Sequence, residues 1–168
     1  MNTRKHLEEA QLLLQKCLHN DDFISSIDNA ASLMFAAIQS GAKILSCGNG
    51  GSMCDAMHFA EEMTGCFREQ RQALPAIAIA DPSHITCTAN DYGFEAIFSR
   101  YVEAIGKEGD VLFAISTSGN SENIIQAAKF ARNHGLKVVA LTGNSGGELA
   151  KLANIEVRIP YQGYSERI

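Results

Sequence analysis

Four hydroxyls fall within six residues at Ser116, Thr117, Ser118 and Ser121, and a helix-forming run follows them directly. A helix N-terminus offers unpaired backbone N–H groups and a partial positive charge, so this cluster has the chemistry to hold a phosphate without a lysine. Gly119 lets the backbone turn tightly, and Ser121 also suits the helix N-cap. Each residue alone is ordinary turn and cap chemistry; the cluster as a whole favours an anion site. A second loop, SCGNGGS over residues 46–52, sets Gly48, Gly50 and Gly51 where a ligand needs close backbone approach, with Asn49 and Ser52 as polar side chains. It lacks the Gly-Lys-Ser/Thr ending of a nucleotide P-loop and carries Met53 where a dinucleotide fingerprint needs Gly. Sugar hydroxyls and phosphate oxygens suit it better.

After the second loop, His58 and Glu62 stand four apart and therefore on one helical face. At 1.5 Å per residue, His58 is roughly 9 Å along the helix from Ser52, about the length of an extended sugar phosphate. A carboxylate there is placed to act as a general base on a carbon-bound proton, and a metal held by His58 and Glu62 would polarise the neighbouring carbonyl. The spacing alone is also that of many solvated helix pairs, and a zinc site takes three or four protein ligands. His84 follows Asp81-Pro82-Ser83 at a strand end and reads as a loop histidine, either bonded to its own backbone or lining the crevice. Asn90-Asp91 before Tyr92-Gly93 reads as a turn. His6, His19 and His134 read as surface residues.

The elements that must position these groups are visible as short apolar runs: KILSC, AIAIA, DVLFAIS, KVVALT and IEVRIP. Continuous rather than alternating runs fit strands covered on both faces, hence a parallel sheet between helix layers. Helices are predicted over 52–67, 94–106 and 121–133, the last with Gly135 as its C-cap, and a shorter one over 147–153. The chain opens with two amphipathic helices, marked by Leu7, Ala10, Leu14 and Cys17 and then by Ile24, Ile27, Ala31, Met34 and Ile38. Their spacing resembles a bundle seam that docks on the domain or on another subunit, and packing into the core is the expected use. The organisation is thus one domain, a helical pair over 1–40 and an α/β core over 41–168. Ligands of open parallel sheets sit at the carboxyl ends of the strands. The two loops therefore face one crevice if their strands are neighbours.

Bulk properties narrow the class. The chain has 168 residues, 46% hydrophobic and 20% charged, with a net charge of −5. That balance gives no general basic field for nucleic acid or an anionic membrane, so an anionic ligand must be held locally. Five cysteines, Cys17, Cys47, Cys54, Cys66 and Cys87, include no C-x-x-C pair and read as reduced thiols. With no signal-peptide or membrane-spanning run in the sequence, a cytoplasmic location is expected.

The segments SCGNGGS, CDAMHFAEEMTG, ANDYGF, FSRYVEA, GDVLFAISTSGNS and ALTGNSGGELA closely resemble the sugar isomerase (SIS) domain, and within it the phosphoheptose isomerases. The resemblance runs from the N-terminal helices to Ile168. It implies a three-layer, flavodoxin-like α/β fold with a five-stranded parallel sheet, a homotetramer with active sites between subunits, and bound zinc. The implied reaction converts D-sedoheptulose 7-phosphate to D-glycero-D-manno-heptose 7-phosphate, the first step of ADP-heptose synthesis for the lipopolysaccharide core. The family's substrate contacts fall on Asn49, Gly50, Gly51, Ser52, Glu62, Asn90, Asp91, Ser116, Thr117, Ser118 and Ser121. Its zinc ligands fall on His58 and Glu62, and Glu62 matches its catalytic base.

Some positions depart from the family pattern. Cys66 stands where an Arg is common after Thr-Gly, and Glu166 where Asp is usual. The family continues beyond the segment matching residues 164–168 into a helix whose Gln and His complete the zinc site, the His serving as second acid/base. The end at Ile168 reads as an imposed boundary, and residues 1–168 alone predict weak or absent turnover. The rival reading is a non-catalytic SIS protein, an adaptor that associates with the replication initiator or a phosphosugar sensor. The Glu61-Glu62 acidic pair argues against the adaptor, and no DNA-binding segment accompanies the domain.

Overall fold

The computed structural model describes residues 3–162; the motif at 164–168, including Glu166, lies outside them. The elements run α1 (Thr3–Leu18), α2 (Asp21–Gln39), β1 (Ile44–Gly48), α3 (Gly51–Thr64), β2 (Ala76–Ala78) and α4 (Pro82–Tyr92). A 3-10 turn at Phe94–Ala96 leads into α5 (Ile97–Ile105), followed by β3 (Val111–Ser116), α6 (Glu122–Asn133), β4 (Lys137–Thr142), α7 (Gly147–Leu152) and β5 (Ile155–Arg158). All five strands pair in parallel in the order β2-β1-β3-β4-β5.

The continuous apolar runs follow from two covered faces. Along β1 and β3, Ile44 and Val111 point to a cluster with Ala30 and Met34 of α2 and Ala60 of α3. The next residues, Leu45 and Leu112, point the other way, to Ile97, Phe98 and Val102 of α5 and Ile124, Ala127 and Ala128 of α6. Successive strand side chains alternate faces, so a strand covered on both sides must be apolar throughout. Cys47 is wholly buried in this core, where burial pushes its thiol up to about 12.

The strand order matters for function. From β1 the chain steps outward to β2, then returns past β1 to β3 and continues the other way. The connections from β1 and β3 therefore depart toward opposite faces and leave a crevice at their carboxyl ends. Full pairing of Ile44–Gly48 with Val111–Ile115 brings the two loops side by side.

Two expectations require correction. Residues 82–92, read as a strand end, a loop histidine and a turn, form helix α4. Asp81 caps it by accepting from the His84 N–H at 2.8 Å, and Pro82 occupies the first turn, where its missing N–H is harmless. The Ser83 hydroxyl and that N–H hold the Asp81 carboxyl below its ordinary range. Core packing also fails for the first helix. α2 buries Ala30 and Met34 against the sheet, but α1 buries no residue, because α2 and α3 already cover that face.

Candidate active site

A cavity of about 440 Å³ opens at the carboxyl ends of β1 and β3. Asn49, Gly51, Ser52 and Asp55 line it from the first loop and α3; Ser116, Thr117, Ser118 and Ser121 line it from the second loop. Ile115 and Leu141 form apolar parts of the wall. The sequence expectation of one shared crevice is met.

Local geometry explains how each loop reaches the cavity. In the first, Gly48 lies so close to α3 that a Cβ there would meet the Ser52 backbone oxygen at 2.4 Å. Gly50 takes φ +55 at the N-cap of α3 and lies in the turn itself, outside the cavity wall. Ser46, in the same motif, is wholly buried and donates to Ala56 O at 2.8 Å, which holds α3 to its strand.

In the second loop, Gly119 has φ +65 and sits against the loop before α7, where an added Cβ would come within 1.8 Å of Gly146 O. That tight stack, with Gly143 N donating to Thr117 O and Leu149 N to Gly119 O, braces the hydroxyl cluster from behind. Ser121 occupies the N-cap of α6, but its side chain makes no capping bond. Its hydroxyl instead accepts from Ser116 at 3.3 Å in the cavity wall. The first-turn N–H groups of α6 thus add to four hydroxyls around one space, a cradle of donors with no Lys or Arg among its lining residues.

His58 and Glu62 lie farther along α3 and do not line the cavity. Ala56 and Ala60 face the sheet, and Phe59 packs on Phe113 with ring centroids 4.8 Å apart. This fixes the roll of the helix, so that Asp55, His58 and Glu62 follow one another on a stripe leading away from the cradle. His58 Nε2 lies 3.2 Å from Glu62 Oε1 and 3.7 Å from Glu61 Oε1. The three donors fall within 4.8 Å of one another. Their chemistry fits zinc: one imidazole and two carboxylates are borderline and hard ligands, and donors at this separation can share an ion at bond lengths of about 2.0–2.2 Å. Arg71, which the sequence reading passed over, donates to Glu62 O and Met63 O and closes the C-terminal end of α3.

The other predicted residues are placed elsewhere. Asn90 and Asp91 lie exposed in the last turn of α4, bonded to each other at 2.7 Å and outside the cavity wall. His84 is not a crevice residue. It packs edge-on against Tyr101, and its Nε2 bonds Ile97 O at 2.8 Å, tying α4 to α5. Asp55, Ile115 and Leu141 are wall residues the sequence reading missed. Asp55 had a usable signal, since three residues beyond Ser52 is one helical turn.

A hydroxyl-lined cavity at the switch point of a doubly wound parallel sheet places the chain among α/β domains that bind ligands at the carboxyl ends of their strands. Residues 5–143 match the SIS domain model. The chain belongs to the phosphoheptose isomerase family of SIS-domain isomerases. It is 55% identical over 165 residues to the phosphoheptose isomerase of Vibrio cholerae, an alignment covering 98% of this chain and 86% of that protein. It is 56% identical over 162 residues to that of Cytophaga hutchinsonii, covering 96% and 85%. Among solved structures, a phosphoheptose isomerase from Francisella tularensis superposes with TM-score 0.93 at 36% identity, covering 99% of this chain and 91% of that one. One from Neisseria gonorrhoeae gives 0.90 at 40%, covering 98% and 87%.

Proposed function

We propose that this isomerase interconverts D-sedoheptulose 7-phosphate and D-glycero-D-manno-heptose 7-phosphate by proton transfer between C1 and C2, with Glu62 as the base. The carrying observation is the cavity in which Asn49 to Asp55 and Ser116 to Ser121 converge, with the Asp55–His58–Glu62 stripe leading out of it along α3. Ser52, Ser116, Thr117, Ser118 and Ser121 hold the phosphate. Asn49 and Gly51 contact the sugar, and Gly50 shapes the turn they stand on.

An extended sugar phosphate held at Ser52 reaches about as far as His58, roughly 9 Å along the helix, so its far end points toward the Glu62 carboxylate one turn beyond. Glu62 removes a C1 proton of the ketose as O2 takes up a proton, giving a cis-enediol, and returns it at C2 as the O1 hydroxyl gives up its proton, giving the aldose. His58, Glu62 and the adjacent Glu61 are the groups that would hold zinc, which when bound polarises the carbonyl oxygen. Asn90 and Asp91 are assigned as further substrate contacts on the family pattern. They serve a site completed by another subunit of a homotetramer. The proposed setting is the cytoplasm and the first step of ADP-heptose synthesis for the lipopolysaccharide core.

The test is conversion of sedoheptulose 7-phosphate with and without zinc, by wild type and Glu62→Gln. The amide keeps the shape of Glu62 but cannot accept the carbon-bound proton. Turnover is expected to fall by about 10²–10⁴-fold, the usual worth of a general base, while phosphosugar binding persists. A fully active Glu62→Gln protein rejects the assignment.

A further inference from the structure

We infer that Asn123, which the reading of the loops did not assign, is a positioning residue that fixes the Asn49 amide in the cavity wall; this rests on the proposed reading of Asn49 as a sugar contact. The two side chains exchange a pair of hydrogen bonds. Asn49 Nδ2 donates to Asn123 Oδ1 at 2.9 Å, and Asn123 Nδ2 donates back to Asn49 Oδ1 at 2.8 Å. The partners lie 74 residues apart, one on the loop after β1 and the other in the first turn of α6. The pair therefore bolts together the two loops that form the cradle.

Orientation is set from the buried side. Asn123 is 3% exposed, and its Oδ1 also accepts from the Ile124 N–H at 3.0 Å. The same N–H also donates to Ser121 O at 3.0 Å, so turning the Asn123 amide over would leave that N–H paired but set the NH2 group donor against donor and forfeit the accepted bond. With Asn123 so fixed, Asn49 has one matching orientation. One of its N–H bonds and one carbonyl lone pair are engaged by Asn123, leaving its second N–H and second lone pair for a ligand. Asn49 lines the hydroxyl-rich cavity and Asn123 does not, although both border an adjoining pocket on the Phe94–Glu95 side. A buried residue thus determines which atoms of Asn49 meet the sugar.

The experiment measures the Kd for sedoheptulose 7-phosphate by calorimetry in wild type, Asn49→Ala, Asn123→Asp and the double variant, with Asn123→Ser alongside in both backgrounds. Asn123→Asp keeps both acceptor bonds, including that to Ile124, so the turn of α6 stays satisfied. It cannot donate to Asn49, and Asn123→Ser removes the pair without adding charge. Each is expected to weaken binding about fivefold to tenfold with Asn49 present, and to add nothing once Asn49 is Ala. Equal weakening in both backgrounds identifies a structural or direct electrostatic role and overturns the inference, as does no weakening in either. An Asn49→Ala protein with wild-type Kd instead removes the reading of Asn49 as a sugar contact, and the inference falls with it.

Discussion

Ser121 separates two uses that a serine at a helix start can have. An N-cap serine normally accepts from the second or third N–H of its helix, and removing that bond typically costs about 1 kcal/mol. Here the hydroxyl turns to Ser116 and the cavity, and no capping bond exists to lose. Ser121→Ala is therefore expected to change unfolding free energy by less than about 0.5 kcal/mol while weakening phosphosugar binding about tenfold. Urea unfolding and calorimetry on one preparation check both halves. A variant destabilised by a full cap's worth with unaltered affinity would restore the serine to ordinary helix chemistry. Asn123 has the complementary character: it shares the Ile124 N–H with Ser121 O and, through Asn49, serves the site.

Elements position these residues through close backbone contacts more than through side chains. Gly119 is the clearest case, since its φ of +65 disfavours any L side chain and Gly146 O occupies the place of a Cβ. Gly119→Ala should cost more than 2 kcal/mol, roughly, because the left-handed penalty and a backbone clash add. The affinity of the cradle should fall with it, since Ser118 and Thr117 would be pushed off the loop before α7. Urea unfolding with phosphosugar titration measures both. At this scale the sequence was informative wherever a signal is local. Continuous apolar runs marked the strands, and clustered glycines and hydroxyls marked both loops, so a shared crevice was expected if the two strands were neighbours, a condition the order β2-β1-β3 meets. Asp81-Pro82-Ser83 was equally local but misread, because cap and first-turn proline were taken as the end of a strand. What could not be read depends on distant partners. Nothing near Asn123 points to Asn49, and spacing gives His58 and Glu62 a common face without fixing the roll of α3, which Phe59 settles on Phe113.

At the scale of the molecule, the unmet need is on α1. Leu7, Leu14 and Leu18 are 67, 61 and 62% exposed, and on the adjoining helix Ile24, Ile27 and Phe35 are 40, 43 and 60% exposed. An apolar stripe repeated over two helices, one of which buries no residue, is a surface suited to being covered. The proposed homotetramer supplies the cover, and leaves the Glu62 region and α4 to be completed across subunits. Leu7→Lys with Leu14→Lys places two charges on that stripe without touching any buried position of α1. Light scattering after size exclusion should then show monomers or dimers in place of tetramers, with the α/β core still folding cooperatively. Phosphate binding, proposed to rest on the loops after β1 and β3 of one chain, should persist. Turnover should fall with assembly and return at protein concentrations that restore it. A variant that remains tetrameric would move the interface off α1, and a monomeric variant with full turnover would confine the active site to one chain.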